Sequence, residues 1–159
     1  MRISYRWRAI AAAVSTAGAL AAVVSFAGPA SAAAVHSSFP VAGAQISCTN
    51  TTYPLTGGSI DSVLNVTTSA NGSLHVTGTD TANHITAVDP NGNTYSLVGA
   101  DWFGGTLTAQ GGGTFTDTNE FQIIAANGGV ADSVRVIDHV SPNGQSINFD
   151  FGTCAPPSG

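Results

Sequence analysis

The chain has 159 residues, which suits one domain with its own core. It carries four Lys and Arg against nine Asp and Glu. That balance argues against nucleic-acid binding, which needs cations to displace phosphate counterions, and against attraction to anionic lipid. The low charge content does not indicate disorder, because Val, Ile, Thr and Phe are plentiful and suit strands.

Residues 1–32 read as a secretory signal peptide. Arg2, Arg6 and Arg8 form a basic start, residues 9–24 an apolar run, and Ala30-Ser31-Ala32 a cleavage site after Ala32. Arg6-Trp7-Arg8 is not a twin-arginine pair, so the general export route is expected. The run is short and impure for a membrane anchor. Cleavage would leave 127 residues with Arg135 as the only Lys or Arg against nine acids, a formal charge of −8. Export also gives meaning to the two cysteines. In an oxidising compartment Cys48 and Cys154 are expected to pair, bracketing nearly the whole domain.

Residues 33–43 read as a flexible lead-in and 44–154 as a single β domain, with 155–159 a loose tail. Ala44–Cys48 is a short first strand, and Thr49–Ser59, with Pro54 and Gly57-Gly58, reads as loop. Ile60–Thr68 is the first clear strand, placing Ile60, Ser62, Leu64 and Val66 on one face. Asn71-Gly72 then predicts a type I′ hairpin into Ser73–Thr79. Short strands follow at His84–Val88, Thr94–Val98 and Ala100–Ala109, with Asp80–Asn83 as a connector. Phe115–Cys154 reads as three more strands joined at Asn127-Gly128 and Asn143-Gly144. In its last strand Ile147, Phe149 and Phe151 alternate with Asn148 and Asp150. Val136-Ile137 breaks the alternation before it, which suggests a bulge or a strand covered on both faces.

Eight or nine short strands with tight turns and no helical period predict an all-β antiparallel meander. It is expected to close as a flattened barrel, with a two-sheet β-sandwich as the alternative. Asn-Gly recurs at 71, 91, 127 and 143, which hints at an internal duplication but is also the commonest hairpin solution. The Cys48-to-Cys154 pattern, with Ser73-Leu-His-Val76, Asn119-Glu-Phe-Gln-Ile-Ile124 and His139-Val-Ser-Pro-Asn-Gly144, resembles small secreted all-β proteins of high-GC Gram-positive bacteria. The resemblance implies export, the disulfide and an all-β fold. It implies no functional residue.

No catalytic constellation stands out. His75, His84 and His139 lie on or beside strands without a zinc-ligand spacing, and His36 falls in the lead-in. Asp138-His139 has no nucleophile elbow to serve. Glu120 and Asp117 sit among acids that read as scattered solvated charges rather than a glycosidase pair. Asp89-Pro-Asn-Gly-Asn93 lacks the twelve-residue calcium pattern and reads as a turn. No metal or other cofactor is expected. Tyr95, Trp102 and Phe103 form an aromatic cluster that reads either as core or as a ligand platform, core being the commoner role of strand aromatics. The expected function is therefore a secreted, non-catalytic β-domain binding an extracellular protein, a cell surface or a glycan. A barrel holding a small apolar ligand among Phe103, Phe115, Phe121, Phe149 and Phe151 is the first alternative. An enzyme of cyclase or isomerase type on such a barrel is the second.

Overall fold

The computed structural model describes residues 34–109 and 112–155. The signal segment 1–32, its cleavage point after Ala32 and residues 156–159 lie outside the described residues. Eight strands make up the fold, and no helix occurs among the described residues. They are β1 (Val35–Pro40), β2 (Gln45–Ser47), β3 (Thr52–Thr68), β4 (Leu74–Val88), β5 (Thr94–Leu107), β6 (Gly113–Ala125), β7 (Val130–Val140) and β8 (Ser146–Asp150). The sheet order is β1-β3-β4-β5-β6-β7-β8, antiparallel throughout, with β2 paired to β3.

The expected barrel closure is corrected by this order. β1 and β8 are the two ends of the sheet and do not pair with each other. The sheet is bridged instead at one end. Cys48 and Cys154 face each other across an isolated antiparallel bridge and form a disulfide. Around them Thr49 N–H donates to Thr153 O, Ala155 N–H to Ser47 O, and Cys154 N–H to Ser133 O. The segment after β8 thereby ties β2, a partner of β3, to β7. Ala155, expected in the loose tail, is held by its bond to Ser47.

The strands are longer than the sequence breaks suggested. Residues expected as lead-in form β1, because Val35–Pro40 pairs with Ser59–Leu64 of β3 and Ser38 Oγ–H donates to Asp61 at 2.6 Å. The expected 49–59 loop is mostly strand, since β3 begins at Thr52. Asp80–Asn83 is not a connector either, as β4 runs through it with a register shift between Thr81 and Ile85.

That shift has a physical cause. On β3 the inward residues are Tyr53 and Leu55 below Gly57-Gly58, and Ile60 and Ser62 above them, so the inward parity changes from odd to even. On β4 it changes from Val76 and Asp80 to Ile85 and Ala87. Gly58 at φ +92° and His84 at φ +49° sit at this level. A Cβ on Gly58 would lie 2.5 Å from His84 O, so only glycine fits. The paired bulges keep both strands' apolar residues on one face.

All four Asn-Gly turns share one geometry, which differs from the type I′ expectation. Asn71, Asn91, Asn127 and Asn143 keep negative φ, and only the following glycines are left-handed, at +77° to +86°. In each, the glycine N–H donates to the carbonyl three residues back, as from Gly92 to Asp89, and the next residue's carbonyl accepts from that same residue's N–H, as Asn93 O does from Asp89. This is the three-residue loop of a type I turn plus a glycine bulge, in which Pro90 and Pro142 fit the second position.

The core lies at the disulfide end, on what is here the inner face. Ile46, Ile85, Ile123 and Val134 are fully buried there with Tyr53, Leu55, Ala87, Leu97, Phe121, Val136 and Cys154. Val136-Ile137 needs no bulge, since Val136 points inward and is buried while Ile137 points outward and is exposed. The register break of β7 falls earlier, opposite Ile123 and Ile124.

Candidate functional site

Strand register assigns the remaining side chains to the two faces. Four neighbouring strands each place a carboxylate on the inner face above the core, Asp80, Asp101, Asp117 and Asp138, the last directly opposite Asp117 and accepting from Asn148. Asp80 on β4 is directly opposite Asp101 on β5, and Ser62 on β3 is directly opposite Asp80. Asp117 on β6 lies opposite Phe103, two residues along from Asp101 and on the same face. Phe103 and Phe115 stack above them with ring centroids 6.2 Å apart. Gly78 lies beneath this pair, where a Cβ would strike the Phe103 ring.

Burial decides the ionisation of this cluster. Desolvation first, then a hydrogen bond with Asp117 and the charges of Asp117 and Asp80, push the Asp101 carboxyl up to about 9. Asp101 is therefore protonated at neutral pH and hydrogen-bonds to Asp117. Burial also raises Asp80, against a lowering hydrogen bond from Ser62. The Oδ1 atoms of Asp80 and Asp101 are shut off from solvent and accept no hydrogen bond among the described residues. A half-buried carboxylic acid hydrogen-bonded to a second acidic side chain is an arrangement from which proton transfer can be run.

This cluster was missed because the acids were read one at a time as solvated. A signal was present in the alternation. Asp101 shares the parity of Leu97 and Phe103, and Asp117 that of Phe115 and Phe121, so both stand where the period points inward.

The outer face has a different character. Register aligns Thr79, Trp102, Thr118, Ile137 and Phe149 in one row across β4 to β8. Trp102 is 48% exposed, Phe149 52% and Phe151 65%, with Ile137 and Ile147 also open to solvent. Phe149 and Phe151 stack with ring centroids 6.0 Å apart and nearly parallel planes. Thr77 and Thr116 flank the row. The nearest charges, Arg135 and Glu120, are 3.6 Å apart and pair with each other.

The sequence-predicted aromatic cluster is thus not one surface. Tyr95 sits at the core end, edge-on to Tyr53 at 5.0 Å, with its hydroxyl donating to Asp89. Phe103 lies on the inner face and Trp102 on the outer. Trp102, for which core was the commoner expectation, is exposed because adjacent strand residues point to opposite faces and Phe103 takes the inward position. Phe149 and Phe151, expected inside a barrel with the other phenylalanines, also point outward, since β8 presents Ile147 and Phe149 to the outer face and Phe151, just past its end, stacks on Phe149.

The histidines do not converge. His75 and His139 bond Thr106 and Thr116 on the outer face, and His84 belongs to the bulge. Cys48, Asp132 and Cys154 are the one group of three such metal-type donors found close together among the described residues, but both sulfurs are in the disulfide. Asp132 accepts from the Tyr53 hydroxyl at 2.8 Å and from Thr153 Oγ1 at 2.7 Å, which gives it a structural role. Asp89 is the turn residue expected, its Oδ1 accepting from Asn91 and Asn93 N–H. An open cleft of about 530 Å³ lies beside β1, lined by His36, Ser38, Asp61 and Asn83 among others. Asp61 is saturated there by Ser38, Ser59 and Asn83, which hold its carboxyl below the usual range.

No family model matches the chain, and no curated protein or solved structure matches it either.

Proposed function

We propose that the protein is a secreted, non-catalytic β-domain that binds an uncharged extracellular partner, a glycan of a cell surface foremost, through its outer face. One observation carries this reading. The row from Trp102 through Thr118 and Ile137 to Phe149, extended by Ile147 and Phe151, exposes five large apolar side chains on one face, and the nearest charges, Arg135 and Glu120, pair with each other. An exposed indole flanked by threonine hydroxyls offers a sugar ring a stacking surface and hydrogen bonds. The Cys48–Cys154 disulfide fits an oxidising compartment and supports export by the signal segment.

Co-sedimentation with insoluble chitin, cellulose and peptidoglycan sacculi tests it. Retention on at least one polymer, lost in Trp102→Ala, is expected. Equal retention of the wild type and Trp102→Ala, or no retention on any of the three, would overturn the glycan reading.

A second reading has its own observation, the half-buried Asp101 carboxyl set against Asp80 and Asp117 on the inner face. On this reading the inner face carries acid–base chemistry, with Asp101 as proton donor and the Phe103–Phe115 stack offering apolar surface to the substrate. Turnover of a chromogenic glycoside or ester, abolished by Asp101→Asn, supports it. Turnover unchanged in Asp101→Asn counts against it.

A further inference from the structure

We infer that β8 is a self-complementary edge through which two copies of this chain pair, joining their outer apolar strips into one. β8 is the terminal strand, and only β7 pairs with it among the described residues. The parity of its free side follows from the ladder. Phe151 N–H donates to Arg135 O, and Phe149 stands opposite Ile137, so the odd residues turn their main chain toward β7. Asn148 and Asp150 consequently turn their N–H and C=O groups outward.

Three of the usual protections of such an edge, lysine, proline and a bulge, are missing. Residues 146–150 contain no Lys and no Pro, and the β7–β8 ladder has no bulge. Every residue of β8 is exposed.

An antiparallel dimer centred on Asn148 matches Asn148 with its own copy and Asp150 with Ser146. It uses the whole strand, and no carboxylate faces a carboxylate. Centring on Asp150 would oppose two carboxylates, which fixes the register by charge. On the outer face the same register sets Phe149 beside the partner's Ile147. Ile147 and Phe149, which one copy leaves in water, then stand beside Phe149 and Ile147 of the other.

A second copy is favoured over head-to-tail pairing of β8 with β1. That contact is heterologous and would grow into filaments unless it closed, whereas the two-fold contact closes on itself. The edge at β1 also ends in Pro40, which donates no hydrogen bond. The formal charge of −8 on the chain without its signal segment makes the dimer strengthen with salt. The pairing does not depend on the outer-face binding reading, but it would double the strip available to an extended polymer.

Sedimentation equilibrium of the oxidised protein, at low and high salt, tests the inference. A mass that rises with concentration toward twice the monomer, more readily at high salt, is expected. Asn148→Pro removes an outward N–H that β7 does not use and should leave a monomer with its Cys48–Cys154 bond intact. Should that variant misfold, Asn148→Cys gives a second readout, since residues paired at the two-fold axis are close enough to oxidise to a covalent dimer. A monomer at every concentration and salt, a species larger than a dimer, or absence of cross-linking in Asn148→Cys would each overturn the proposal.

Discussion

The two ends of the sheet are built on different terms. At the disulfide end, Ile46, Ile85, Ile123 and Val134 are sealed between β2 and the main sheet, and the chain is stapled across them. At the other end β1 and β8 are unjoined edges, the inner face holds carboxylates and half-buried Leu64, Val66, Phe103 and Phe115, and the outer face leaves Trp102 in water. Stability is concentrated at one end. The other tolerates a cluster of half-buried acids and exposed aromatics, which have no folding benefit of their own.

The disulfide should produce the largest effect. It closes a sequence separation of 106 residues. The chain-entropy account puts a loop of that length near 4–5 kcal/mol. Reduction, or Cys154→Ser, should lower the melting temperature by roughly 10–20 °C for a domain of this size. An unchanged melting curve would show that β2 and the 153–155 segment hold the core end without the staple.

Core substitutions come next and test the asymmetry itself. Ile123→Ala should cost about 2–5 kcal/mol, because its surroundings are sealed and collapse poorly. Leu64→Ala, half-buried on the same face at the far end, should cost less than half as much. Equal losses in chemical denaturation would erase the distinction between the ends.

The carboxylates give the comparison a pH signature. Asp101 and Asp80 have folded-state pKa values above their unfolded ones, so the native state binds more protons than the unfolded chain. Their contribution is most favourable in acid and is lost as pH rises from about 4 toward 9. Asp61 and Asp89 are lowered, by Ser38 and Asn93 first, and act oppositely, losing stability as pH falls below the normal carboxylate range. The expected optimum therefore lies on the acid side of neutral. Asp101→Asn should raise the melting temperature at pH 8 and flatten the decline between pH 6 and 9, read by calorimetry. A variant that melts earlier than wild type at pH 8 would mean that the ionised form is accommodated.

What the sequence disclosed, and what it hid, follows the same division. The all-β meander, the Cys48–Cys154 pair and the inward set Ile60, Ser62, Leu64 and Val66 were legible, because period-two alternation and Asn-Gly turns are local signals. Strand lengths were not. Gly57-Gly58 and Asp80–Asn83 look like loop, and only their juxtaposition across β3 and β4 makes them matching bulges. The sign of the β8 alternation was also hidden. Ile147, Phe149 and Phe151 mark one face clearly, but which face is inner depends on what covers it, and every residue of β8 is exposed. Trp102 misled for a related reason, since adjacent Trp102 and Phe103 must point apart and composition does not say which is buried.

The smallest expected change in stability falls at Trp102, and its smallness is the point. Trp102→Ala removes a side chain that is half in water and packs among Thr79, Thr118 and their neighbours on the outer face. A surface substitution without a buried partner costs about 0.5 kcal/mol or less. Its melting temperature should therefore stay within about 2 °C of wild type, while retention on the polymer that the wild type binds is lost. Those two measurements together separate a binding residue from a structural one. A drop in melting temperature comparable to that of Ile123→Ala would place Trp102 in the packing of the fold. The open end would then be as load-dependent as the disulfide end.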